Sequence, residues 1–170
     1  ITKDIPTIAL SEKFLGFILV TSVIALMGFI DDVVDLKARY KFLFQLVAAT
    51  ICYFYGITIG GIKIPFIYTN IIDFGLLDFP VTLIWIIGIT NAVNLIDGLD
   101  GLAAGITAIS ATALLIIFIA TSASLEAIVI TAVLLGAVLG FLPFNFNPAK
   151  TFMGDVGSNF LGFCLAVVSI

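Results

Sequence analysis

The chain has 170 residues, 62% of them apolar and 11% charged, with a formal net charge of −4 and no histidine. Water-soluble domains are roughly half apolar and a quarter charged, so a core of this size cannot hide the excess and lipid must solvate much of it. The acidic balance gives no basis for binding nucleic acid, and without histidine the usual zinc ligand and neutral-pH base are missing, leaving oxygen to hold any metal.

A spanning helix needs roughly 20 apolar residues, with about 17 as the floor. Residues 14–30 form the first such run, after a helix start at Ser11-Glu12-Lys13, and end at Asp31 and Asp32. Residues 42–55 are shorter but extend back through Lys41, whose stem can snorkel. Next, ITIGGIKIP (residues 57–65) alternates around a Gly-Gly pair, which predicts a β-hairpin with a primed turn followed by an interfacial loop to residue 79. Residues 80–92 open with Pro80 at a first helical position. Full spans follow at 102–121 and, after the turn Ser122-Ala123-Ser124, at 125–142; a last helix begins near Ser158. The predicted fold is an all-α polytopic membrane protein with about five complete transmembrane helices, the start of a sixth, and a short β-hairpin on the non-cytoplasmic face. Lacking an initial Met and stopping inside an apolar run, residues 1–170 read as a single transmembrane domain, an internal piece of a longer multi-spanning protein. Cys52 and Cys164 sit inside apolar runs without a CxxC spacing and read as packing residues.

Counting crossings puts three polar segments on one membrane face: Asp31-Asp32-Val33-Val34-Asp35, NAVNLIDGLDGL (residues 91–102), and Gly154-Asp155-Val156-Gly157-Ser158. That face also carries Lys37, Arg39, Lys41 and Lys150, against Lys3, Lys13 and Lys63 opposite, a weak positive-inside bias toward a cytoplasmic motif face. Carboxylates are costly inside a bilayer, so acids at span ends should face water, a cation or substrate. Asp31 and Asp32, adjacent in sequence, point apart and need not share one ion, but their repulsion calls for a cation nearby. Oxygen ligands favour Mg2+, with Mn2+ as a substitute. Asp35 reads as a solvated residue. Helix starts on this face, with Gly98, Gly101, Gly154 and Gly157 admitting close backbone approach, suit a pyrophosphate. The same glycines also fit tight turns and close helix packing. Lys41 fits either a snorkelling or a phosphate-binding residue, and Phe152 either an interfacial aromatic or a stacking platform.

Three segments resemble the signatures of the polyprenyl-phosphate N-acetylhexosamine-1-phosphate transferases: DDVVDLKARYKFLFQ (residues 31–45), NAVNLIDGLDGLAAG (91–105) and FNFNPAKTFMGDVGSNFLG (144–162). Their order and spacing agree across essentially the whole chain. The resemblance implies a multi-spanning enzyme of the cytoplasmic membrane, its active site on the cytoplasmic face. Its reaction is transfer of a sugar-1-phosphate from a UDP-N-acetylhexosamine to undecaprenyl phosphate with release of UMP, the first membrane step of envelope polysaccharide synthesis. By motif position Asp155 resembles the family's magnesium-binding aspartate, and Asn94 the asparagine lining the metal–pyrophosphate site. Asp31 and Asp32 match the paired aspartates near the acceptor phosphate, one of them a proposed base, and Lys41 matches the phosphate-binding lysine. Asp97 and Asp100, with Gly98 between them, match nucleoside-side positions; Phe152 matches the aromatic on which uracil stacks. A homodimer is compatible with the family. Single displacement by the already ionised lipid phosphate is favoured over a covalent aspartyl intermediate.

The segments NLIDGLDGLAAG and NFNPAKTFMGD look more like the GlcNAc-1-phosphate branch than the phospho-MurNAc-pentapeptide branch, which makes lipid I. The family's histidine-rich loop falls beyond Ile170, and its early spans are also absent, which leaves activity of the piece alone open. An ion-coupled secondary transporter is the rival from another class, but it calls for acids within spans rather than at their ends.

Overall fold

The computed structural model describes residues 11–62 and 72–170. The helices, in order, are α1 (Glu12–Val34), α2 (Ala38–Phe54), α3 (Asp78–Ile96), α4 (Leu102–Ala120), α5 (Leu125–Asn145) and α6 (Gly154–Val168). Two short strands, β1 (Gly61–Ile62) and β2 (Ile72–Asp73), and a single 3-10 turn, Gly75–Leu77, lie between α2 and α3.

The apolar runs are helical where expected, and the helices extend beyond them at the acidic end. α1 continues through Asp31 and Asp32, α3 takes in Asn91 and Asn94, α2 begins before Lys41, and α6 begins at Gly154 rather than near Ser158. These polar residues are therefore helix ends rather than loops. A helix satisfies its own backbone where hydrocarbon offers no partner.

Among the described residues, four stretches are long and apolar enough to cross a membrane: Glu12–Val34, Gly75–Ile96, Leu102–Ala120 and Leu125–Asn145. The chain is a multi-pass membrane protein. α2, expected as a fifth span, has 17 residues, a rise of about 25 Å against roughly 30 Å of hydrocarbon.

The hairpin differs from expectation. The ladder pairs Gly61 with Asp73 and Ile62 with Ile72, so Gly60-Gly61 is not the turn between two strands. The Gly60 N–H instead donates to Asp78 Oδ1 at 2.9 Å and its carbonyl accepts from the Phe74 N–H, tying this corner to the start of α3. The residues joining β1 to β2, with Lys63 and Pro65, lie outside the described residues, as does Lys3.

α6 is the centre of the bundle. It lies between α1 and α3, while α2 packs on α1 and α3, and α4 pairs with α5. From Ser158 to Val168 nearly every residue of α6 is buried. Two glycines allow this. A Cβ on Gly28 would meet the Val156 Cα at 2.6 Å, and one on Gly162 would meet the Thr90 Cα at 2.9 Å.

At the far end of the bundle Ser11 caps α1 through the Phe14 N–H, and its hydroxyl donates to Glu126 Oε2 at 2.7 Å, which ties the starts of α1 and α5. Gly28→Val must push α6 off α1 and should destabilise the protein by roughly 1–3 kcal/mol. Gly88→Ala, with nothing within 4 Å of the added carbon, should be neutral or stabilising by about 0.5–1 kcal/mol. Thermal unfolding of the two variants in detergent checks the contrast.

Candidate active site

The three polar segments meet at one end of the bundle. Asp31, in the last turns of α1, is 3% exposed. Its Oδ1 accepts from the Leu36 N–H at 2.8 Å, which secures the turn where Asp35 takes a left-handed φ of 53° and ends α1. Its Oδ2 has no regular hydrogen bond and meets the Lys41 ammonium in an ion pair. The same ammonium lies 3.0 Å from Asp155 Oδ2, so one lysine at the start of α2 joins acids from α1 and α6. Breaking a buried pair leaves an uncompensated charge, at a cost of roughly 3–5 kcal/mol.

Asn94, near the end of α3, donates to Asp155 Oδ1 at 2.6 Å and to Ser158 Oγ at 2.8 Å. Both oxygens of Asp155 are thereby oriented, one by an amide and one by an ammonium. Asp32 faces elsewhere, as adjacent helical residues must. Its two oxygens accept from the Asp155 N–H at 2.8 Å and the Val156 N–H at 3.3 Å. The first turn of α6 thus has a carboxylate already at its N–H groups, where the helix dipole favours negative charge. The expectation that this helix start faces a pyrophosphate is corrected accordingly.

The sequence reading gave no site role to Gln45, Ser158, Asn159 or Asn145. Gln45 donates to Asn159 Oδ1 at 3.0 Å and accepts from Asn91 Nδ2 at 2.6 Å, while Asn159 donates to the Asp155 carbonyl at 2.9 Å. These amides join α2, α3 and α6 directly below the acids, giving Asn91 a packing role. Helical spacing could have found Gln45, Ser158 and Asn159: Lys41 and Gln45, Asn91 and Asn94, and Asp155, Ser158 and Asn159 each form a polar stripe of period three or four.

The second polar pole lies beside the first. Asp97, Gly98, Asp100, Asn145 and Phe152 line a cleft of about 60 Å³, room for water but not for a nucleoside. Asp100 Oδ2 accepts from the Ala149 N–H at 3.0 Å and from Asn147 Nδ2 at 3.1 Å, which holds the α5–α6 connection. Buried Asn145 does the same from the other side, accepting from the Gly101 N–H and donating to the Thr151 carbonyl. Phe152 is 75% exposed at the rim. Burial, reinforced by repulsion from Asp155 and Asp32, pushes the Asp97 carboxyl up to about 6.

No three Asp, Glu, Cys or His side chains form a metal cage among the described residues. The donor set nevertheless fits magnesium, which keeps waters and substrate phosphates and asks the protein for one or two carboxylates. Asp155 is partly exposed and oxygen-bearing, and a cation, the Lys41 ammonium, already stands between it and Asp31.

Comparison with known proteins bears on this site. A model of the family described as "Glycosyl transferase family 4" matches residues 14–170. The chain is 40% identical over 148 residues to a Bacillus subtilis protein named probable undecaprenyl-phosphate N-acetylglucosaminyl 1-phosphate transferase, covering 87% of this chain and 41% of that relative. It is 42% identical over 171 residues to a phospho-N-acetylmuramoyl-pentapeptide-transferase of Halalkalibacterium halodurans, covering 94% of this chain and 52% of the relative. A Streptococcus thermophilus protein of the same name is 40% identical over 164 residues, 91% of this chain and 48% of its own. The chain spans about half the length of the relatives it matches.

Lys41→Met should lower thermal stability by roughly 3–5 kcal/mol, and adding Asp31→Asn should restore much of the loss, because the buried charge then goes with its partner. Detergent unfolding of the single and double variants measures the coupling. The raised value of Asp97 means that folding favours its protonated form. That stabilisation is complete below 3.8 and lost as pH rises through about 6. Asp97→Asn should therefore stabilise the metal-free protein more at pH 7.5 than at pH 4, measured as the difference in Tm from wild type.

Proposed function

The chain belongs to glycosyl transferase family 4, and from that premise we propose that the protein it forms part of transfers N-acetylhexosamine-1-phosphate from a UDP-sugar to undecaprenyl phosphate, releasing UMP. GlcNAc-1-phosphate is the favoured group. The observation that carries this reading is the meeting of Asp31, Lys41, Asn94 and Asp155, drawn from four helices, in one bonded cluster.

In the proposed reaction an oxygen of the lipid phosphate attacks the sugar-linked phosphorus. The bond from that phosphorus to the bridging oxygen breaks and UMP leaves. A phosphate monoester is mostly dianionic at pH 7, with a second pKa of about 6, so the nucleophile needs positioning more than deprotonation. Lys41 is suited to hold a phosphate oxygen, with Asp31 keeping its ammonium charged and aimed. Asp155 and the Asn94 side-chain oxygen would hold magnesium, or manganese in its place, which when bound would neutralise charge on the pyrophosphate. Asp97, Gly98 and Asp100 form the rim for the nucleoside, and Phe152 offers an exposed face for uracil. The basic residues at the acidic end, Lys37, Arg39, Lys41 and Lys150, favour a cytoplasmic orientation.

Formation of lipid I from UDP-MurNAc-pentapeptide is the second reading, favoured by relatives of that name at similar identity. The full-length protein, given undecaprenyl phosphate, magnesium and radiolabelled UDP-GlcNAc, should yield a labelled lipid and UMP. Asp155→Asn should slow this about 10²-fold or more. Product from UDP-MurNAc-pentapeptide alone would move the protein to the second reading, and product from neither donor would overturn the transferase assignment.

A further inference from the structure

We propose that Asp32 serves this reaction as a positioning residue: from the end of α1 its carboxylate caps α6 and thereby aims Asp155. The inference rests on the transferase reading of the same site. It assigns Asp32 a part other than the proton-accepting one that the resemblance offers to one member of the pair Asp31 and Asp32.

α6 supplies no cap of its own. Met153, the residue before its first turn, has helical dihedrals and makes no side-chain capping bond. Helix starts leave N–H groups unsatisfied, and here a carboxylate 123 residues away in sequence takes two of them. One of those N–H groups belongs to Asp155 itself. The bond therefore acts on the backbone of the residue whose side chain faces Asn94 and Lys41.

The surrounding backbone is shaped to admit this carboxylate. Gly154 adopts a φ of 67°, and a Cβ there would lie 2.8 Å from Asp32 Oδ2. One turn before Asp32, Gly28 lets α1 approach the α6 backbone closely enough for the carboxylate to reach. Both carboxylate oxygens of Asp32 are turned to the α6 backbone, and this geometry favours the cap.

Amide exchange, magnesium dependence and pH–rate profiles of full-length wild type, Asp32→Asn and Asp32→Ala test the proposal. In the alanine variant the amides of residues 155 and 156 should exchange about tenfold faster. The magnesium concentration for half-maximal rate should rise about 10–100-fold, as when a metal ligand loses its support. Asp32→Asn retains one acceptor oxygen and should fall between alanine and wild type in both measures, with the pH–rate profile of wild type. Both variants slowed to the same degree, with wild-type amide exchange at residues 155 and 156 and an unchanged magnesium concentration for half-maximal rate, would overturn the proposal. A wild-type protein that transfers from neither donor, yet shows faster exchange in Asp32→Ala, would remove the transferase reading and with it the positioning role, leaving only the cap.

Discussion

The Lys41 ammonium holds the acidic end of the bundle together. It touches Asp31, which is buried, and Asp155, which is partly exposed, so α1, α2 and α6 converge on one positive charge. Asp31 is enclosed, and the cation that meets it comes from another helix because α1 carries none in its last turn. The same ammonium holds Asp155 where its other oxygen meets Asn94.

Below the charges the bundle is specified by amides and by close backbone approach. Gln45, Asn91 and Asn159 exchange hydrogen bonds across α2, α3 and α6 in a buried setting, where an unpaired amide is costly. A shifted register would break these bonds together. Gly28 and Gly162 bring α1 and α3 against α6 at distances that no side chain permits. Lipid tails offer no hydrophobic drive between helices, so small residues and interhelical hydrogen bonds must supply the association.

The two poles of the site differ in preorganisation. Around Asp155 each carboxylate oxygen already has a partner from a different helix, and the helix that carries it is capped by Asp32. Around Asp97 the cleft admits only water, Asp100 is engaged with the α5–α6 connection, and Phe152 stands open to its surroundings. The Asp155 pole is built on helix ends, whereas the Asp97 pole depends on a connecting segment pinned by Asp100 and Asn145. Rigid elements position charge more closely than loops do, so the Asp155 pole is the more firmly held of the two.

Hydropathy and motif spacing by themselves determined that this is a helical membrane protein, where its apolar runs lie, and that three acidic segments belong at span ends of one face. These properties are local, repeated along the chain and set by the thickness of the bilayer. Membership of the family was equally legible, since residues 31–45, 91–105 and 144–162 carry it in linear order. The Gly-Gly pair misled because a tight turn and an anchored corner share the same local composition, and only the Asp78 side chain distinguishes them. Likewise the division of labour between Asp31 and Asp32, the tie from Asp100 to the α5–α6 connection and the amide network were decided by the tertiary structure. Each depends on hydrogen bonds that reach between segments distant in sequence; a polar stripe of helical period shows which side chains share a face, but which partner each meets is fixed only when the helices are packed.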